Sequence, residues 1–103
     1  MSTRPIKSGL EPMHPGELLR EEVLPALRRS KTEIAELLGV SRQTLYDILR
    51  EKKPVTPDMA LRIGKLCGNG PNLWLTLQAR YDLARSQKRL GAVIKRIPTL
   101  QVA

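Results

Sequence analysis

Apolar residues recur at helical spacing along most of this chain. The pattern is densest over residues 31–50, Lys-Thr-Glu-Ile-Ala-Glu-Leu-Leu-Gly-Val-Ser-Arg-Gln-Thr-Leu-Tyr-Asp-Ile-Leu-Arg. Ile34, Ala35 and Leu38 fall three and four apart, and so do Leu45, Ile48 and Leu49, which is the period of a helix with one buried face. Gly39 separates the two sets. Helices commonly end on a left-handed residue, a conformation that Gly adopts without a Cβ penalty. Ser41 then supplies a good N-cap. The stretch predicts two short helices, about Thr32–Leu38 and Arg42–Arg50, joined by a tight turn: a helix-turn-helix.

The same periodicity predicts three more helices. The first opens near Pro15, with Glu17, Glu21 and Glu22 in its early turns and Leu18, Leu19, Val23 and Leu27 on its apolar side. It runs to about Leu24, where Pro25 is expected to end or bend it. Thr56-Pro57-Asp58 combines a cap, a first-position Pro and an early acid, and starts a fourth helix. That helix carries Met59, Ala60, Ile63, Leu66 and Cys67, and Gly68-Asn69-Gly70 stops it. Pro71 opens a fifth, with Leu73, Trp74, Leu77, Tyr81 and Ala84 at threes and fours. Few runs alternate with period two, so the predicted class is all-α. Residues 1–12 read as a flexible arm, 13–90 as the helical domain with a C-terminal dimerisation helix, and 91–103 as a tail beginning at Gly91. A second Met at position 13 leaves the translational start open between Met1 and Met13.

Composition narrows the partner. The 103 residues are 41% hydrophobic but only 3% aromatic, with no Phe, so one small core must be built from aliphatic side chains. Lys and Arg number 18 against 10 Asp and Glu, a net charge of +8 that favours a polyanion. An anionic membrane is the weaker option, because no apolar run approaches the roughly 18–20 residues of a spanning helix. The N-terminus lacks a signal-peptide pattern, and the lone Cys67 can form no intramolecular disulfide, which favours a reducing cytoplasm. With one His and one Cys there is no metal-ligand set, and no cofactor motif is present. No nucleophile–base pair or phosphate-binding Gly loop suggests an enzyme. The aromatic platform of single-strand RNA binders is missing too.

The outward face of the second motif helix decides the reading. Gln43, Tyr46, Asp47 and Arg50 lie opposite Leu45, Ile48 and Leu49, with Arg42 at the border in the first turn. Arg pairs with guanine and Gln with adenine in the major groove. Asp47 can accept from cytosine N4 or orient an Arg, and Tyr46 is a candidate thymine or phosphate contact. Arg42, Gln43, Tyr46 and Asp47 are the candidate base readers. Lys31, Ser41, Thr44, Arg50, Lys52 and Lys53 are the candidate phosphate contacts. Trp74 and Leu77 are the candidate dimer seam, with a core role the competing reading for Trp74 and for Tyr81 on the same face. His14 is expected to touch the neighbouring turn, and Cys67 to be a small buried hydrophobe. The basic stretch Arg85, Lys88, Arg89, Lys95 and Arg96 reads as a solvated face or as a contact for a partner.

Five helices with the helix-turn-helix as the second and third resemble lambda-repressor-like, or XRE-type, DNA-binding domains. Within that group the chain resembles HigA-type antitoxins over about residues 10–97. The resemblance rests on His-Pro-Gly-Glu at 14–17, Leu-Leu-Arg-Glu-Glu at 18–22 and Gly-Val-Ser-Arg-Gln-Thr-Leu at 39–45. It extends to Val-Thr-Pro-Asp-Met-Ala-Leu-Arg at 55–62 and Trp-Leu-Thr-Leu-Gln-Ala-Arg-Tyr-Asp-Leu at 74–83. Two places depart from the family. Glu51-Lys52-Lys53-Pro54 stands where an Asn-Gly pair is often found, and Gly70-Pro71-Asn72 where a Ser or Thr cap is common. The resemblance implies a homodimeric repressor on double-stranded DNA, a palindromic operator at its own promoter. It also implies an antitoxin that silences a small RelE- or HigB-like RNase encoded by the adjacent gene. Since such toxins are usually basic, the first-helix acids Glu17, Glu21 and Glu22 are the candidate toxin surface. The alternative is a stand-alone XRE-type regulator without a toxin. A pure protein-interaction module is disfavoured by the retention of Arg42, Gln43 and Arg50 on one face.

Overall fold

The computed structural model describes residues 11–101, which are helical with no strand among them. Residues 1–10, most of the expected arm, lie outside the described residues. Five helices follow in order. Helix α1 is continuous from Pro15–Leu18 through a π-helical turn, Leu19–Val23, into Leu24–Leu27. Helices α2, Lys31–Leu38, and α3, Arg42–Leu49, form the helix-turn-helix. Helix α4 spans Pro57–Cys67 and α5 spans Asn72–Arg96.

Local chemistry explains most of the boundaries. The Nδ1 of His14 caps α1 by accepting from the Gly16 N–H at 2.8 Å. Ser30 caps α2, accepting from Glu33 N–H at 3.0 Å, so that helix begins at Lys31. Ser41 and Thr56 cap α3 and α4 in the same way. Gly39 and Gly68 end α2 and α4 at φ 74° and 79°, where a side chain would be strained.

Two helices outrun their sequence signals. Pro25 does not end α1. The Leu24 N–H bonds to the Leu19 carbonyl, five residues back, and this wider turn gives the Pro ring room against the preceding carbonyls. The helix continues to Leu27 and stops where Arg28 turns left-handed at φ 55°. Gly91 does not end α5 either; the helix crosses the expected start of the tail and reaches Arg96. An interior Gly costs about 1 kcal/mol relative to Ala, too little to stop a helix that already has many turns to propagate. Pro98 sets the end, because the residue before it, Ile97, is driven to an extended conformation (φ −84°, ψ 119°).

The apolar stripes of the helices meet in one core built around Trp74, Ile34, Leu45, Ile48 and Ile63, each 0–1% exposed. Each such side chain contributes roughly 1.5–3 kcal/mol by leaving water, against about 1 for a hydrogen bond, so the stripe decides which face of α3 turns inward. Two glycines allow close approach. A Cβ at Gly16 would lie 1.9 Å from the Ile48 carbonyl oxygen, and one at Gly64 would lie 2.3 Å from the Gly70 backbone. Helix α1 thus rests directly on the end of α3. A buried polar link ties α5 to the loop before α4: the Val55 N–H donates to Gln78 Oε1 at 2.8 Å, and Gln78 Nε2 donates to Asp82 at 3.0 Å.

Candidate nucleic-acid interface

Helix α3 buries Leu45, Ile48 and Leu49 and exposes Arg42, Gln43, Thr44 and Arg50, as its periodicity predicts. At its N-terminus the Ser41 hydroxyl accepts from the Thr44 N–H at 3.0 Å and donates to the Thr44 hydroxyl at 2.8 Å. One of the two hydroxyl hydrogens is thereby used internally, which leaves the other for an outside acceptor. An open groove beside α3 is lined by Val40, Ser41, Thr44, Asp47, Lys53 and Thr56.

Asp47 does not take the Arg-orienting role that is one of its two sequence readings. It is half-buried and orients no Arg; its carboxylate accepts from Gln43 Nε2 at 2.8 Å, one turn back on the same helix. Its backbone carbonyl accepts from the N–H groups of Lys52 at 2.8 Å and Lys53 at 3.2 Å. Those bonds fold the basic loop back under the end of α3, with both lysines exposed. Glu51 makes the turn by taking a left-handed conformation, φ 64°, at the position where the sequence departs from an Asn-Gly pair.

Tyr46, which the helical period puts on the outward face, is less exposed than Gln43 and Arg50 there. It is half-buried and packs against the core. Lys31 Nζ lies 5.7 Å and the Arg50 guanidinium 5.4 Å from its ring centroid, both within cation–π range. Two candidate phosphate contacts from different helices are thus gathered around one aromatic ring.

Two arginines that sequence reasoning missed hold the motif. Arg20, on α1, donates through Nη1 to the Leu49 carbonyl at the end of α3 and lies 3.3 Å from Glu51. Its Nε bonds Glu21 at 2.8 Å, and that carboxylate raises the guanidinium pKa above its ordinary value. Arg62, on α4, donates to the Leu38 carbonyl at 2.8 Å at the end of α2. Neither α2 nor α3 has a basic residue in its own last turn. That lack is the one local hint that a cation must come from elsewhere, and it does not say from where.

Other candidates are redistributed by burial. Trp74 is 0% exposed within a single chain, so it cannot itself be a seam; its indole N–H lies 3.3 Å from Asn69 Oδ1. Leu77 is half-buried against the same core. Glu17 is also 0% exposed and offers nothing to a partner, whereas Glu21 is half-buried and Glu22 exposed. Tyr81 packs edge-on against His14, with ring centroids 4.9 Å apart. Cys67 is half-buried, and burial pushes its thiol pKa up, away from the reactive thiolate. Of the basic stretch, Arg85 lies over Tyr81 and Lys88 pairs with Glu11 at 2.7 Å.

The helix-turn-helix family model matches residues 19–74, from the π turn of α1 to the buried Trp74. The chain belongs to the XRE-type helix-turn-helix family, on its HigA-like branch. As a member it is a DNA-binding regulator, and α3 is the helix that this fold presents to the major groove. Virulence-associated protein I of Dichelobacter nodosus is 37% identical over 82 residues, covering 80% of this chain and 76% of that one. The antitoxin HigA of Pseudomonas aeruginosa, solved with the higBA promoter, superposes with a TM-score of 0.82 at 37% identity over 88% of this chain and all of that one. The antitoxin GraA in complex with its operator gives the same TM-score and identity over 95% of this chain. No helix among the described residues of this XRE-type protein is long and apolar enough to cross a membrane.

Proposed function

We propose that this protein is a homodimeric repressor of its own promoter and the antitoxin of a type II toxin–antitoxin module. The observation that carries the DNA reading is the exposed polar face of α3, whose C-terminus is pinned by Arg20 and whose partner helix is pinned by Arg62. Arg42 and Gln43 read bases. Lys31, Thr44, Arg50, Lys52 and Lys53 contact phosphate, and Ser41 holds the N-terminus of α3 in shape. Phosphate contacts position such a helix, and base contacts give it specificity.

The dimer seam we assign to the face of α5 that points away from Trp74. Thr76, Ala79, Leu83, Ser86, Leu90 and Val93 alternate in steps of three and four along that face, the spacing of a helix–helix seam. Leu83 and Val93 are 59% and 47% exposed in the single chain and lie with Leu90 on that one stripe. A two-fold pair places two α3 helices on half-sites about one helical turn apart, roughly 34–36 Å.

The toxin we assign to the α1 side, through exposed Glu22 and its neighbours, because a basic RNase is repelled by most of this cationic surface. That placement leaves Arg42 and Gln43 open, so repression and toxin binding are compatible. Gel-shift titration against the promoter upstream of the gene tests the operator. Co-expression with the product of the adjacent gene, followed by pull-down, tests the antitoxin. Specific promoter binding with no complex and no RNase-like neighbour would leave a stand-alone regulator. Charge reversal at Glu22 that leaves a complex untouched would move the toxin surface elsewhere.

A further inference from the structure

Resting on the reading of α3 as the base-reading helix, we infer that Asp47 is a specificity-determining positioning residue that locks the Gln43 amide to read adenine and reject guanine. A glutamine amide is a two-ended group, and a free one can turn over. The end that faces Asp47 cannot. An ionised carboxylate only accepts hydrogen bonds, so the 2.8 Å contact must be made by the NH2 group of Gln43.

The consequence lies in what remains unused. One N–H of the amide is committed to Asp47, leaving one N–H and the carbonyl oxygen for the groove. Adenine presents an acceptor at N7 and a donor at N6, which match that pair. Guanine presents two acceptors, N7 and O6. A free glutamine can turn both N–H groups toward guanine, but the locked one sets its carbonyl oxygen against O6. The Asp47 main chain is held by the N–H groups of Lys52 and Lys53 on its carbonyl, and its side chain is half-buried, which narrows the positions its carboxylate can take. In the groove the contact is desolvated and the lock strengthens, since a hydrogen bond gains strength where water is excluded. A carboxylate close to DNA also costs affinity by repulsion, a cost that selectivity at the Gln43 position would offset.

Duplexes of the promoter, substituted one base pair at a time, test this in fluorescence-anisotropy titrations of wild type, Asp47→Asn, Gln43→Ala and the double variant. Asp47→Asn removes the charge and lets the amide adopt either orientation. The expected result is a loss of adenine-over-guanine preference at one half-site position by roughly tenfold, within the range of one bidentate contact. Affinity for unrelated DNA should stay level or rise. In the Gln43→Ala background the second substitution should leave base preference unchanged, because Asp47 acts only through Gln43. Thermal melts check that the variants are folded. If wild type discriminates at that position and Asp47→Asn discriminates equally well, the lock is overturned while the operator reading stands. If Asp47→Asn changes preference at a cytosine position even without Gln43, Asp47 reads that base directly and the lock is overturned. If wild type shows no base preference anywhere, the operator reading fails and this inference falls with it.

Discussion

Arg62 Nη1 donates to the carbonyl oxygen of Leu38 at 2.8 Å, so α4 closes the C-terminus of α2 from 24 residues away. The same nitrogen lies 3.3 Å from the Gly39 carbonyl, and a Cβ at Gly39 would come within 2.9 Å of it. The turn of the motif is therefore held from outside as well as by its own glycine. Arg62→Ala should destabilise the fold by about 1 kcal/mol: hydrogen bonds to charged groups contribute roughly 1.5–3, reduced here because the guanidinium is partly exposed. Urea denaturation should show a lower midpoint with an unchanged slope.

Gly16 and Gly91 should respond to the same substitution with opposite signs. A Cβ at Gly16 collides with backbone, the Ile48 carbonyl, which cannot swing away. Gly16→Ala should cost more than about 3 kcal/mol or prevent folding, as overpacking against rigid atoms does. Gly91 is interior to α5 with nothing within 4 Å of a built Cβ. Gly91→Ala should stabilise by about 0.5–1 kcal/mol. Thermal melts of the two variants beside wild type check both signs.

Gln78→Leu removes the acceptor that the buried Val55 N–H uses. An unsatisfied buried donor costs about 1–3 kcal/mol. The loss should appear first as faster amide hydrogen exchange at Val55, because the loop into α4 opens before the core does. Equal protection at Val55 in variant and wild type would show that the link is dispensable.

Lys53→Ala should weaken binding to every duplex alike. Neutralising one phosphate contact lowers the slope of log affinity against log salt by about 0.9. Arg42→Ala should instead cost about 1–3 kcal/mol at one operator position and relax preference there. Titrations at several salt concentrations separate the two behaviours.

Leu83→Glu combined with Leu90→Glu places charges on the α5 stripe away from the core. The expected product is a folded monomer in sedimentation equilibrium, with operator affinity lowered by roughly 100-fold or more as the second half-site contact is lost. A dimer that survives both charges would move the seam to another face.

Much of this protein is written locally. Caps at Ser41 and Thr56, stop signals at Gly39 and Gly68, and stripes at threes and fours need only neighbours in the chain, so five helices and the inward face of α3 follow from the sequence alone. What the sequence left undetermined involves partners far away or small conformational costs. Pro25 and Gly91 look like breaks, but a π turn absorbs one and the cooperativity of a long helix absorbs the other. Asp47 has several possible partners in a list of residues, and only side-chain geometry selects Gln43. Burial within a single chain removes Trp74 from any seam and Glu17 from any partner surface, since periodicity tells which residues share a face but not what covers that face. Arg20 and Arg62 lie within the stretches that carry the family resemblance, but nothing local in the sequence says what either one holds. Their roles exist only because the tertiary packing of α1 and α4 brings a guanidinium to a helix end that has no cation of its own.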